Sequence, residues 1–157
     1  MLPQDDFKEH EFIEDAGLIF ESSGYPRMAG KIFACLLICR PPHQSANEIS
    51  SMTGGSKASI SSMTRWLLQL GFIERLGIPN KRGILYKIKD GSFTSLLQQR
   101  MSIIKDFVKL AERGLIFVTD KDSVQYERLK EIHGLNFYLE RELPLMMERW
   151  ILKYRGR

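Results

Sequence analysis

"SMTGGSKASISSMTRWLLQLGFIERL", residues 51–76, decides how this chain is read. Two glycines, Gly54 and Gly55, precede a run of small hydroxyl residues, which passes abruptly into an apolar, tryptophan-bearing one. A helix meant only for burial would not carry Ser56, Ser59, Ser61 and Ser62 in its first half. Ser56 stands as an N-cap, and the helix it opens should reach about Leu70. Ahead of it, Ser45 is placed to cap a short helix, "ANEISSMT". Gly54 then supplies the turn, where a positive φ costs glycine little. Ile49 anchors the first helix, and Ser50 is small enough for close helix–helix approach.

In the second helix, Ile60, Met63 and Leu67 set one apolar face against a core. At about 100° per residue, Ala58, Ser61, Ser62, Arg65 and Gln69 fall on the opposite face, with Lys57 at its edge. That face is small, polar and basic. It suits a DNA major groove, where serine donates or accepts and arginine grips guanine O6 and N7. A plain solvated helix with serines near its N-terminus would look the same locally, so the neighbouring segment has to separate the two. After Gly71 the period changes: "FIERL" and "ILYKIK" read as two strands joined by "GIPNKRG". This hairpin carries Asn80, Lys81 and Arg82 at its tip and makes a wing, whose cations reach phosphates or a flanking minor groove.

The flanks are helical. Phe12, Ala16, Ile19 and Phe20 recur at helical spacing between Asp5 and Ser22. "SSGYPR" breaks that helix, Pro26 opens the next, and Arg40-Pro41-Pro42 stops it. Beyond the wing, Phe93, Leu96, Leu97, Ile104, Phe107, Val108, Ala111 and Leu115 mark one long stripe. A final helical region spans about Asp122 to Tyr154, where Gly134 and Pro144 should kink or divide it. The expected class is mainly α (α+β winged helix): a winged helix-turn-helix with flanking long dimerisation helices. Residues 1–24 form an N-terminal dimerisation helix, 25–91 the DNA-binding module and 92–157 the C-terminal dimerisation helices.

Charge is distributed to match. Met1 to Ser23 holds one Lys/Arg against seven Asp/Glu, Gly24 to Gly91 ten against three, and Ser92 to Arg157 twelve against nine. A basic middle within a net charge of +4 points to one polyanion-facing module. No apolar run approaches the roughly 20 residues that cross a bilayer, and the acidic start is unlike a secretory signal, so no membrane and a cytoplasmic site are expected. Cys35 and Cys39, four apart in an apolar stretch, read as buried thiols rather than a disulfide scaffold, with a redox switch as the alternative. His10, His43 and His133 share no short metal spacing with each other or with the cysteines. There is no phosphate-binding glycine loop and no Gly-x-Ser-x-Gly elbow, and Asp5-Asp6 and Asp120/Asp122 read as helix starts. Neither enzyme chemistry, cofactor nor metal is expected.

"SKASISSMTRWLLQLGFIERLGIPNKRGILYKI", residues 56–88, resembles the winged helix-turn-helix of the MarR family of transcriptional regulators. Its "SK" opening and "LGFIER" exit are most similar to the GbsR-like branch. The resemblance covers about Ser45 to Lys89, and the flanking helices agree in order. It implies a homodimer on double-stranded DNA with a palindromic operator. Lys57, Ser61, Ser62 and Arg65 would be recognition-helix positions, and Lys81 and Arg82 wing positions. The departure from the family pattern is a short wing with two adjacent cations at its tip. The resemblance also implies a small-molecule effector. In the GbsR-like branch this would be a quaternary ammonium held by aromatic faces, with Tyr25, Phe33, Trp66, Phe107 and Trp150 as candidates. Aromatics at such spacing equally read as core. The other function class is a winged-helix protein–protein interaction module that joins a complex without DNA, a reading that Arg65 and Lys57 disfavour.

Overall fold

The structure, a computed structural model, describes residues 4–77 and 83–154. In chain order the elements are α1 (Gln4–Ser22), α2 (Arg27–Ile38), β1 (Gln44–Ser45), α3 (Ala46–Thr53), α4 (Lys57–Gln69), β2 (Ile73–Leu76), β3 (Leu85–Ile88), α5 (Ser92–Phe117) and α6 (Val124–Tyr154). Two compact units divide between Leu96 and Leu97.

In the first unit α2 is the central element. Ala29, Ile32, Phe33, Ala34, Cys35 and Leu36 are all buried, because the helix is apolar almost all round. Pro26 stands at its N-cap in an extended conformation, and Cys39 caps its end just before Arg40-Pro41. α1 packs along α2 at a close crossing. A Cβ on Gly30 would lie 2.5 Å from the Ala16 carbonyl oxygen and 2.7 Å from Phe20 Cγ, so only glycine fits there. At the rim of the same contact Glu14 meets Lys31 at 2.6 Å and Arg27 at 3.0 Å, and these two cations hold its carboxyl below the usual range. Phe20 belongs to the core, against Tyr25, Phe33 and Phe72 at centroid distances of 5.7–5.9 Å. Phe20 therefore serves the core of its own unit, whereas Phe12 remains exposed.

The sheet has three strands in the order β1-β3-β2, all antiparallel. The wing hairpin is the expected pair, in register Ile73↔Ile88 to Leu76↔Leu85. β1 was not legible in the sequence, since two residues carry no alternation. Gln44 and Ser45 pair with Tyr86 and Leu85, which fastens the start of α3 to the wing.

The second unit comprises α6 and the part of α5 beyond Leu96. α6 runs as one helix from Val124 to Tyr154, through Gly134 and Pro144. Of the two outcomes expected at Gly134 and Pro144, a kink or a division, the division does not occur. Among its described residues only Val108 and Ala111 are buried, and α6 buries none. No helix among the described residues is long and apolar enough to cross a membrane.

Candidate nucleic-acid interface

The candidate interface is built from α3, α4 and the turn between them. Ser45 begins α3 with a reciprocal capping box: its Oγ accepts from the Glu48 N–H at 3.3 Å, and the Glu48 carboxylate accepts from the Ser45 N–H at 2.7 Å. Ile49 is fully buried, and Thr53 Oγ1 donates back to the Ile49 carbonyl at 2.7 Å. Gly54 adopts φ 69°, ψ 13°, the left-handed cap the turn requires. Gly55 is needed for a different reason, close approach. A Cβ there would sit 2.7 Å from Ile60 Cδ1 and 3.1 Å from Met28 Sδ. Ser50 Oγ donates to the Gly55 carbonyl at 2.6 Å, and Ser56 Oγ accepts from the Ser59 N–H at 3.2 Å, opening α4.

α4 rests on Ile60, Thr64 and Leu67, all buried, with Met63 half-buried. Thr64 escapes the sequence pattern, because a threonine does not register as apolar. Its hydroxyl is satisfied within the helix, donating to the Ile60 carbonyl at 2.8 Å, which is why burial is tolerated. Trp66 leans away from the exposed face and meets Tyr25 edge-on at 5.5 Å between centroids. Opposite this braced side, Lys57, Ala58, Ser61, Ser62, Arg65 and Gln69 are all exposed on one helix. Neither Lys57 nor Arg65 has an ion-pair partner among the described residues. Six of the nine interface positions expected from the sequence thus share one face. The other three, Asn80, Lys81 and Arg82, lie outside the described residues.

A family model of MmpR5-like MarR family transcriptional regulators matches residues 91–152. HTH-type transcriptional regulator MmpR5 of Mycobacterium tuberculosis (strain ATCC 25618 / H37Rv) is 33% identical over 130 residues, covering 83% of this chain and 79% of that protein. The chain belongs to the MmpR5-like MarR family of transcriptional regulators. A crystal structure of a transcriptional regulator matches at a TM-score of 0.72 and 31% identity, over 91% of this chain and 97% of that one.

In this MarR-family chain the aromatic candidates for an effector site divide. Phe33 is buried in the first-unit core, and Tyr25 and Trp66 pack against it or each other. Phe107 and Trp150 belong to the second unit and are exposed. Both thiols are buried and free. Cys35 Sγ lies 3.4 Å from Met52 Sδ, and burial, with Cys39 nearby, pushes its pKa up to about 12. Burial also raises Cys39, whose Sγ approaches the Leu36 carbonyl at 3.6 Å. No cluster of three or more metal-ligating side chains occurs among the described residues.

Proposed function

We propose that this MarR-family regulator binds double-stranded DNA sequence-specifically as a homodimer, placing α4 of each subunit in the major groove of one half of a palindromic operator. One observation carries the reading: the exposed face of α4 is small, polar and basic from Lys57 to Gln69, while its other side is locked by Ile60, Thr64 and Leu67. Ser61 and Ser62 are short enough for base edges to approach, and Arg65 reaches guanine. Asn80, Lys81 and Arg82 of the wing contact backbone phosphates on this reading.

Dimerisation is supported by surface that one chain leaves uncovered. In the second unit Leu97, Phe107, Leu110, Leu135 and Trp150 are all exposed, a density that marks association rather than a finished surface. The division of labour is then residues 1–24 and 92–157 for assembly and 25–91 for DNA, acting in the cytoplasm. The GbsR-like assignment within the family is supported by the "SK" opening of α4 and its "LGFIER" exit. It brings a quaternary ammonium effector, for which Tyr25 and Trp66 offer aromatic faces.

Selection of bound sites from random-sequence duplexes by the full chain at low salt tests this function. The expected product is an enriched inverted repeat. No enrichment, with a folded protein, transfers the function to the protein–protein interaction class.

A further inference from the structure

At Gly71, with φ 74°, the chain reverses so that β2 returns beside the C-terminal half of α4 as an outer strand of the sheet. An open groove of about 540 Å³ lies between them. Arg65 and Gln69 line it from the helix, and Glu74, Arg75 and Lys89 from the sheet side. Arg65, Arg75 and Lys89 make no ion pair among the described residues. The one acid in the lining is already engaged, since Glu74 lies 2.8 Å from Lys87 Nζ. Three like charges with no counter-ion repel one another, and an anion lying along them relieves that repulsion. The Lys89 N–H donates to the Phe72 carbonyl at 3.1 Å, so the sheet-side wall is held by the wing's own ladder.

The groove is continuous with the recognition face, because Arg65 and Gln69 belong to both. An enclosed site with converging donors would suit a small anion. An open one with separated cations suits a polyanion whose successive phosphates each meet one charge. We propose that Arg75 and Lys89 form a second phosphate contact, a cradle for the sugar–phosphate strand that flanks α4 where the helix leaves the major groove. It is distinct from the wing tip, and it rests on the DNA-binding reading above. Arg65, at the shared border, keeps its base contact.

The test compares the full chain with the double variant Arg75→Ala, Lys89→Ala on the selected operator and on scrambled duplex, across a salt series. Affinity should fall about equally on both DNAs, and the slope of log K against log[salt] should drop by about 1 per lost contact, or about 2 per subunit. The charge-keeping pair Arg75→Lys, Lys89→Arg should retain most of the slope, which a merely structural role would not predict. An unchanged slope in the alanine pair, with operator binding intact, overturns the cradle and leaves DNA binding standing. Loss of preference for the operator over scrambled DNA, with an unchanged slope, overturns it too, because the two residues would then be reading bases. If the parent binds no duplex at all, the cradle falls together with the function it serves.

Discussion

Ser50 donates its hydroxyl proton to the Gly55 carbonyl across 2.6 Å, and with the Gly55 N–H donating to Thr53 Oγ1 at 3.3 Å this bond closes the turn between α3 and α4. It joins the two helices at the point where Gly54 reverses the backbone and Gly55 lets Ile60 and Met28 come close. The angle at which α4 leaves the module, and hence its presentation to DNA, is set there.

Each turn residue should therefore fail in its own way. Ser50→Ala should cost about 1 kcal/mol through the lost hydrogen bond. Gly54→Ala, at a positive φ in open space, should cost about 1–2 kcal/mol from backbone strain alone. Gly55→Ala should cost about 1–3 kcal/mol through overpacking against the fully buried Ile60. Urea denaturation gives the three values. A neutral Gly55→Ala would mean that the Ile60 side chain can yield.

Gly30 governs the other close approach. A methyl at this position would overlap the Ala16 backbone carbonyl, which cannot rotate away, and the Phe20 ring. Gly30→Ala should push α1 off α2 and destabilise by about 3 kcal/mol or slightly more. The Glu14 contacts to Lys31 and Arg27 should be lost with it. Gly134→Ala, with open space around it on α6, serves as the control and should be neutral or stabilising by up to about 1 kcal/mol.

The thiols should be silent under oxidation and visible only at high pH. Cys35 stays protonated to about pH 12 in the folded chain, against 9.0 for an ordinary thiol. The unfolded chain gives up this proton first, so folding stability falls as pH rises between those two values, by up to about 1.4 kcal/mol per pH unit from this group. Cys35→Ala should flatten that stretch of the stability–pH curve. Peroxide should leave DNA affinity of the parent unchanged, and a loss absent from a Cys35→Ala, Cys39→Ala variant would establish a redox role instead.

Helix and wing should divide the work of recognition. Arg65→Ala should relax preference at one base pair in each half-site, by about 1–3 kcal/mol, and scarcely change non-specific binding. Lys81→Ala with Arg82→Ala should weaken all sequences alike and lower the salt slope by about 1 per lost phosphate contact in each subunit. Anisotropy titrations on operator and scrambled DNA separate the two outcomes. A wing variant that shifts sequence preference would reverse the roles.

Assembly should be obligate. Leu97 and Phe107 project from α5 without cover in one chain. Leu97→Glu should therefore yield aggregated or unfolded protein rather than a tidy monomer, as a charge enters an apolar interface. Light scattering is the check, and a stable folded monomer of the parent at micromolar concentration would refute obligate dimerisation.

The helix-turn-helix and wing were legible in the linear sequence because their signals are local. Ser45 and Ser56 cap helices through bonds to residues three positions on, and Gly54 is required by a backbone angle at its own position. The polar face of α4 comes from helical period alone, and its six described positions are exposed as the period requires. What tertiary structure decided involves partners distant in the chain. β1 exists only because Gln44 and Ser45 meet Tyr86 and Leu85 some forty residues later. Gly30 is irreplaceable because of Ala16 and Phe20, and Phe20 is core because Phe33 and Phe72 close over it. α6 passes through Pro144 without dividing, although a proline inside a helix removes one backbone donor and works against continuation. Arg75 lies in "FIERL" and Lys89 in "ILYKIK", on two different strand segments of the linear sequence. Only the reversal at Gly71, which lays β2 beside α4, brings them to one groove with Arg65.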